Sequence, residues 1–307
     1  MNIAIIGAGA LGSVIGFHLA AVSNVTLIDP WAEHVHAIND GGLRCLIDHE
    51  ERIVTLSATT DPSGVKPVEV ALITVKAAQT AWAAEVAAHV LTPDGVAYTL
   101  QNGLGNAEIL SVRLGKQHVG QAVTTLGATL LGPGYVRLAG RGPTTFGATP
   151  VLHLAYAIAD KFRASGLPAA VSTDLIGLVW GKLIVNVGIN ALTAILRVPN
   201  GALATTPAAR SLVRKVVEEA VAVAQAAGVT LSLTDPVAET LAVAQATAVN
   251  YSSMLQDVLR GAPTEIDTIN GAIVREGGRL GVPTPCNAML CELVAALEET
   301  APLRVQA

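Results

Sequence analysis

Two rhythms of apolar and polar positions run through the first half of the chain. "NIAIIG" (2–7), "NVTLID" (24–29), "VEVALITV" (68–75) and "GVAYTL" (95–100) are short, β-branched, mostly apolar runs of strand length. Helical spacing fills the intervals, through Val22, over 31–40 and over 78–90, and strand-like pieces fall near 43–47 and 52–57. Strand and helix alternating in this way predict a parallel sheet with right-handed crossovers. From 117 to 147 the rhythm becomes a Gly- and Thr-rich alternation, which predicts added strands in antiparallel pairing. A helix near 150–165 and a strand near 168–172 close this half.

Beyond about residue 173 the strand signals stop. Helical patterns cover 174–197, 207–227, 236–259, 265–280 and 286–299, with Pro and Gly between them. The fold class expected is α/β: a doubly wound sheet domain over 1–170, then an all-helical domain over 171–307. The chain shows no internal repeat and no low-complexity linker.

Composition narrows the class. Of 307 residues 51% are apolar, 14% charged and 3% aromatic, so the core must be built from Ala, Val, Leu and Ile. A net charge of −5 gives no electrostatic reason to expect a nucleic acid or an anionic membrane as partner. Cys45, Cys286 and Cys291 are odd in number and lack CxxC spacing, and the seven His lack ligand spacing. Neither a disulfide framework nor a metal is expected, and a reducing cytoplasm fits. The first 22 residues are apolar but lack the basic start of a signal peptide. The apolar run at 183–198 is shorter than a bilayer span and is interrupted by two Asn, so a soluble protein is expected.

Chemistry first shows in "GAGALG", which lies between a predicted strand and a predicted helix. Gly7 would permit the tight turn, Gly9 the approach of a pyrophosphate, and Gly12 close helix–strand packing. With Ala8, Ala10 and Leu11 they form the fingerprint of a Rossmann-type dinucleotide site. Asp29 closes the second strand twenty residues after Gly9. A carboxylate there accepts from the ribose hydroxyls and repels a 2′-phosphate, which favours NAD(H) over NADP(H). Pro30 and Trp31 supply no basic clamp for that phosphate.

"VWGKLIVNVGIN" (179–190) places Lys182, Asn186 and Asn190 four apart, on one face of an otherwise apolar helix that Lys182 opens. Lys182 can snorkel to solvent, pair with a buried carboxylate, or act as the acid that protonates a carbonyl oxygen during hydride transfer. Glu265, in the expected first turn of the helix marked by Pro263 and Thr264, is the candidate carboxylate opposite, although such a Glu is also ordinary capping.

Together these segments resemble the ketopantoate reductase family (2-dehydropantoate 2-reductases). The resemblance spans nearly the whole chain: "GAGALG", "TVKAAQT" (74–80), "LQNGLGN" (100–106), "WGKLIVNVGINALTAIL" (180–196), "NYSSMLQDVLRGAPTEIDTINGAIV" (250–274) and "GVPTP" (281–285). It implies hydride transfer between nicotinamide and C2 of a 2-oxo or 2-hydroxy acid, 2-dehydropantoate to pantoate being the leading case. Lys182 would donate the proton. Asn186, Asn190, Asn200 and Ser253 would hold the substrate, with Met254 to Gln256 lining the pocket and Asn250 as a weaker addition. Glu265 would sit where substrate and cofactor meet, and Asn102, Lys76 and Ala128 beside the cofactor.

Members that work in pantothenate synthesis usually carry a basic residue just after the second strand, suited to NADPH. Asp29-Pro30-Trp31 departs from that, which keeps open an NAD-dependent dehydrogenase of another branched or polyol-type 2-hydroxy acid. Two rivals stand further off: a dehydrogenase of the β-hydroxyacid or 6-phosphogluconate type, and a non-enzymatic NAD(H)-binding regulator. The Ala- and Val-rich pattern "VVEEAVAVAQAAGV" suggests a homodimer.

Overall fold

The computed structural model describes residues 1–148 and 151–303, so Pro150, the first residue of one expected helix, lies outside the described residues. The chain divides into two compact units. Met1–Gln101 and Asn106–Leu175 form the first, and Asn102–Gly105 joins the chain from Ile176 onward in the second.

In chain order the first unit contains β1 (Asn2–Ile6), α1 (Ala10–Leu19), β2 (Asn24–Ile28), α2 (Ala32–Gly41), β3 (Leu43–Ile47), β4 (Glu50–Val54), β5 (Ser57–Thr59) and β6 (Val68–Ile73). It continues with α3 (Thr80–Val90), β7 (Leu91–Thr99), α4 (Asn106–Leu114), β8 (Val119–Gly132), β9 (Tyr135–Gly147), α5 (Leu152–Ala164) and β10 (Ala169–Ser172). The strands run β4-β3-β9-β8-β7-β6-β1-β2-β5, with β10 on β9. From β5 to β8 every pairing is parallel. Chain order reverses between β1 and β6, the topological switch point beside which open α/β sheets bind ligands.

Both faces of this sheet are covered, which is why its central strands read as continuous apolar runs. Ile3 and Ile5 of β1 join a core with Val14, Ile15 and Leu19 of α1, whereas Ala4 and Ile6 pack on the other side with Ala83, Ala84 and Ala87 of α3. The antiparallel pair expected within 117–147 is β8 with β9. The run expected at 52–57 divides: β4 ends at Val54 and β5 starts at Ser57, because β4 turns back on β3 while β5 pairs with β2. Helix α4 was not foreseen.

The second unit is helical: α6 (Ile176–Leu196), α7 (Gly201–Thr205), α8 (Pro207–Ala226), α9 (Pro236–Ala246), α10 (Ser253–Arg260), α11 (Asn270–Leu280) and α12 (Pro285–Glu299). Helices α8, α9 and α12 each open on a proline, whose fixed φ suits the first helical position. Helix α6 supplies the core with Leu183, Ile184, Val187, Ala191 and Leu192.

Four expectations need correction here. The helix expected over 236–259 is two helices. The chain leaves α9 at Thr247, and Ser252 then caps a new helix by accepting the Leu255 N–H at 3.1 Å. The helix expected from 265 starts at Asn270, preceded by a 3-10 turn over Ile266–Thr268. Lys182 does not open its helix but is the seventh residue of α6. The apolar run expected at 183–198 belongs, as far as Leu196, to a 21-residue helix, long and apolar enough to cross a membrane by that test alone, yet 67% of its apolar window is buried inside the fold. The Ala- and Val-rich stretch of α8 buries Val216, Val217, Ala220, Val223 and Ala224 within the same unit, so a second subunit is not needed to explain it.

Candidate active site

The dinucleotide fingerprint lies at the C-terminal end of β1. Gly7 has φ +103°, and a Cβ there would fall 2.6 Å from the Val75 backbone nitrogen. A Cβ on Gly12 would overlap the Gly7 carbonyl oxygen, while one on Gly9 would meet nothing within 4 Å. Two of the glycines therefore answer demands of the protein itself, and the third leaves bare backbone facing open space. A pyrophosphate needs that arrangement at the start of α1, and Ala10 and Leu11 open the helix there. The residues present fit a dinucleotide.

Asp29 follows β2 and reaches this loop. Its Oδ2 accepts the Ala8 N–H at 2.7 Å and its Oδ1 the Trp31 N–H at 2.9 Å. A carboxylate has about four lone-pair positions, so acceptor capacity is left for ribose hydroxyls. The Trp31 indole lies on the His34 imidazole, with centroids 4.8 Å apart and planes 11° from parallel. His34 was not singled out in the sequence, because a lone histidine on a helix carries no signal of its own.

Beyond β6, Lys76 is exposed and precedes a 3-10 turn at Ala77–Gln79. Beyond β7, the Gln101 amide donates to the Val75 carbonyl at 3.0 Å and to Thr80 Oγ1 at 2.8 Å, and Thr80 donates to Asn106 at 2.9 Å. These bonds tie "TVKAAQT" to "LQNGLGN" at the strand ends. Ala128 lies within β8, where the ladder to β9 shifts register, half-buried against the apolar core.

The second unit contains the ionisable pair. Lys182 Nζ is enclosed by protein although part of its side chain meets solvent. Burial lowers its pKa from 10.5 to about 8, and the Glu265 carboxylate opposes that shift. Glu265 is 7% exposed and accepts from the Asn102 amide at 3.2 Å. It therefore holds Asn102 and faces a lysine, and it makes no hydrogen bond that caps the following turn. Residues 102–105 are fixed against the same turn: the Leu104 N–H donates to the Thr268 carbonyl at 3.1 Å. Gly103, at φ +84°, approaches that carbonyl so closely that no Cβ fits.

The amide stripe continues along α6. Asn186 is half-buried and Asn190 buried, with Asn190 Nδ2 3.5 Å from Ser253 Oγ. Ser253 is the exposed first residue of α10. Its neighbour Ser252 is buried, and Thr193 Oγ1 lies 2.7 Å from its hydroxyl. Ser252 and Thr193 thus join the start of α10 to α6 and set where Ser253 stands, a role missed in the sequence because Ser252 fell inside the continuous helix expected over 236–259. Asn200 is buried, donates to Thr247 Oγ1 at 2.9 Å, and its Oδ1 lacks a partner among the described residues. Asn250 is exposed, and its carbonyl accepts the Asn200 N–H at 3.0 Å. Met254 is buried and Gln256 turns back to the Tyr251 carbonyl. Among the described residues, no group of three or more His, Cys, Asp or Glu could hold a metal ion.

Comparison with known proteins accords with these features. The family description "Ketopantoate reductase PanE/ApbA" matches residues 3–150, and "Ketopantoate reductase PanE/ApbA C terminal" matches 174–298. A 2-dehydropantoate 2-reductase of Halobacterium salinarum is 38% identical over 96% of this chain and 98% of its own. One of Pyrococcus horikoshii is 37% identical over 97% and 98%. Among solved structures, D-mandelate dehydrogenase with NADH and anilino(oxo)acetate superposes with a TM-score of 0.90 at 33% identity, over 98% of this chain and 99% of that one. A PanE/ApbA family ketopantoate reductase from Ralstonia eutropha gives 0.89 at 39% identity, over 98% and 99%. The chain belongs to the ketopantoate reductase family and is an NAD(P)-dependent oxidoreductase acting on a CH–OH group.

Proposed function

We propose that the protein is an NAD(H)-preferring 2-oxo acid reductase whose substrate is 2-dehydropantoate and whose product is pantoate. The observation that carries this proposal is the enclosed Lys182 ammonium, its pKa drawn down to about 8, with Glu265 as its charge partner and Asn102 hydrogen-bonded to that glutamate. Bound reduced nicotinamide would supply a hydride to the C2 carbonyl carbon. Lys182 donates from Nζ to the carbonyl oxygen and gives up its proton as negative charge develops there. An ammonium in a poorly solvated setting stabilises that charge more than the neutral ketone, so its contribution falls on the transition state. In the reverse direction neutral Lys182 accepts the hydroxyl proton. Asn186, Asn190 and Ser253 offer neutral donors and acceptors to the substrate's hydroxyl and carboxylate, with Asn200 and Asn250 as further candidates. Gly7 to Gly12 and Asp29 hold the dinucleotide, and the Asp29 charge disfavours a 2′-phosphate.

A second reading is supported by the likeness to D-mandelate dehydrogenase with NADH: oxidation of a different 2-hydroxy acid by the same groups. A cytoplasmic homodimer is the proposed assembly. Met289 and Leu293, apolar residues that α12 leaves exposed, support it, and sedimentation velocity checks it. The functional test follows absorbance at 340 nm with NADH and NADPH, each against 2-dehydropantoate and a panel of alkyl and aryl 2-oxo acids. Faster turnover of 2-dehydropantoate with NADH is expected. Equal turnover with NADPH refutes the cofactor assignment, and preference for another acid refutes the substrate.

A further inference from the structure

We propose that Trp31 is a cofactor-binding residue whose indole, braced by His34, is the aromatic platform for the adenine of the dinucleotide. This rests on the reading of the protein as a nicotinamide-dinucleotide enzyme and adds a residue and a contact to it. Trp31 stands two positions past Asp29, and its backbone N–H donates to Asp29 Oδ1 at 2.9 Å. The backbone of Trp31 is thereby fixed to the carboxylate that would meet the adenosine ribose. The indole remains partly exposed, with the His34 ring stacked on it at 4.8 Å.

His34 is built as a brace. It is fully buried, its Nδ1 accepts the Gly134 N–H at 3.0 Å, and its Nε2 lies 3.1 Å from Ser13 Oγ. Ser13 donates its only hydroxyl proton to the Ala8 carbonyl at 2.7 Å, so toward His34 it can only accept. His34 must then carry its proton on Nε2 and leave Nδ1 as the acceptor, which is the neutral imidazole. Burial also lowers its pKa, against the pull of Asp29. The series Trp31, His34, Ser13, Ala8 links the indole to the glycine loop that would carry the pyrophosphate. Simple core filling would need an apolar residue at 34; two directional bonds instead fix the plane of the ring. A flat, uncharged π-face beside a carboxylate suits adenine attached to a ribose with a free 2′-hydroxyl.

The test uses the intact protein, titrated calorimetrically with NADH and with ADP-ribose, which lacks the nicotinamide. Trp31→Ala is expected to weaken both about tenfold, within the range of one base stacked on one aromatic ring, and Trp31→Phe to recover most of that loss. ADP-ribose is expected to quench indole emission in the wild type and much less in Trp31→Phe. Thermal transitions of the variants identify any loss of fold, and Trp31→Phe keeps the proposal testable if the alanine variant is unstable. Wild-type affinity of Trp31→Ala for both ligands overturns the platform while leaving the dinucleotide reading intact, and so does a loss confined to NADH. A wild type that binds neither ligand overturns both.

Discussion

Replacing Glu265 by Gln removes the charge that holds the Lys182 pKa up while keeping an acceptor for the Asn102 amide. In the wild type a pKa of about 8 leaves roughly ten protonated lysines for each neutral one at pH 7, and the inverse at pH 9. If Lys182 is the acid as proposed, reduction requires its protonated form, so kcat should hold below pH 8 and fall about tenfold per pH unit above it. A solvated lysine would sustain the rate to its ordinary 10.5. In Glu265→Gln burial acts without opposition, and the basic limb must move to lower pH. The loss of rate therefore grows from small near pH 6 to severe near pH 8. Oxidation of the product needs neutral lysine and should show the mirror-image limb, rising through the same pH. The assay is kcat against pH at saturating substrate and NADH, with deuterated cofactor to verify that hydride transfer limits the rate. A wild-type limb near 10.5, or a limb that stays put or moves up in Glu265→Gln, refutes the assignment of Lys182 as the acid.

Four further outcomes are expected. Lys182→Ala should lower kcat at least about 100-fold, the lower range for losing a general acid, with NADH affinity little changed by fluorescence titration. Gly103→Ala should cost at least about 1–3 kcal/mol in denaturant unfolding, the strain of a non-glycine residue at positive φ to which the clash with the Thr268 carbonyl adds, and should depress kcat by displacing Asn102 from Glu265. Asp29→Ser should raise the ratio of kcat/KM for NADPH over NADH by about tenfold or more, since one carboxylate–phosphate repulsion is removed. Asn287→Ala should destabilise the fold by about 3 kcal/mol, because fully buried Asn287 bonds to the Val216 carbonyl, Glu219 and Asn270. Its NADH affinity should not change.

What could be read from the sequence was whatever lay within one element. The glycine loop was legible because its spacing between a strand run and a helical run is a local pattern, although the Val75 backbone that crowds Gly7 lies far along the chain. The α6 stripe was legible because four-residue spacing puts Lys182, Asn186 and Asn190 on one face whatever surrounds the helix. The partnership of Asn102 with Glu265 lies across 163 residues and depends on a short loop joining the helical unit, so only the family resemblance placed both in one site. The break between α9 and α10 was missed because the apolar spacing carries on through Thr247–Ser252. Only the Ser252 hydroxyl, competing for a backbone N–H, decides that the helix restarts. His34 was invisible for the same reason: both of its hydrogen-bond partners are distant in sequence.

The neighbours of Lys182 also explain why amides stand along this face of α6 where carboxylates might be expected. Each added carboxylate near an enclosed ammonium would hold its proton more tightly and carry the pKa back toward that of free lysine, weakening it as an acid. An all-apolar setting would drive the pKa down until the lysine was neutral at pH 7 and had no proton to give. One carboxylate, Glu265, with uncharged Asn102, Asn186 and Asn190 in place of further charge, lies between these limits. The amides can orient a substrate oxygen and an ammonium without altering the charge balance between them. On this argument an Asn186→Asp change should raise the lysine's pKa and shift the basic limb of kcat upward, opposite in direction to Glu265→Gln. A shift of both variants in the same direction would show that their effects arise from misfolding of the site and not from charge.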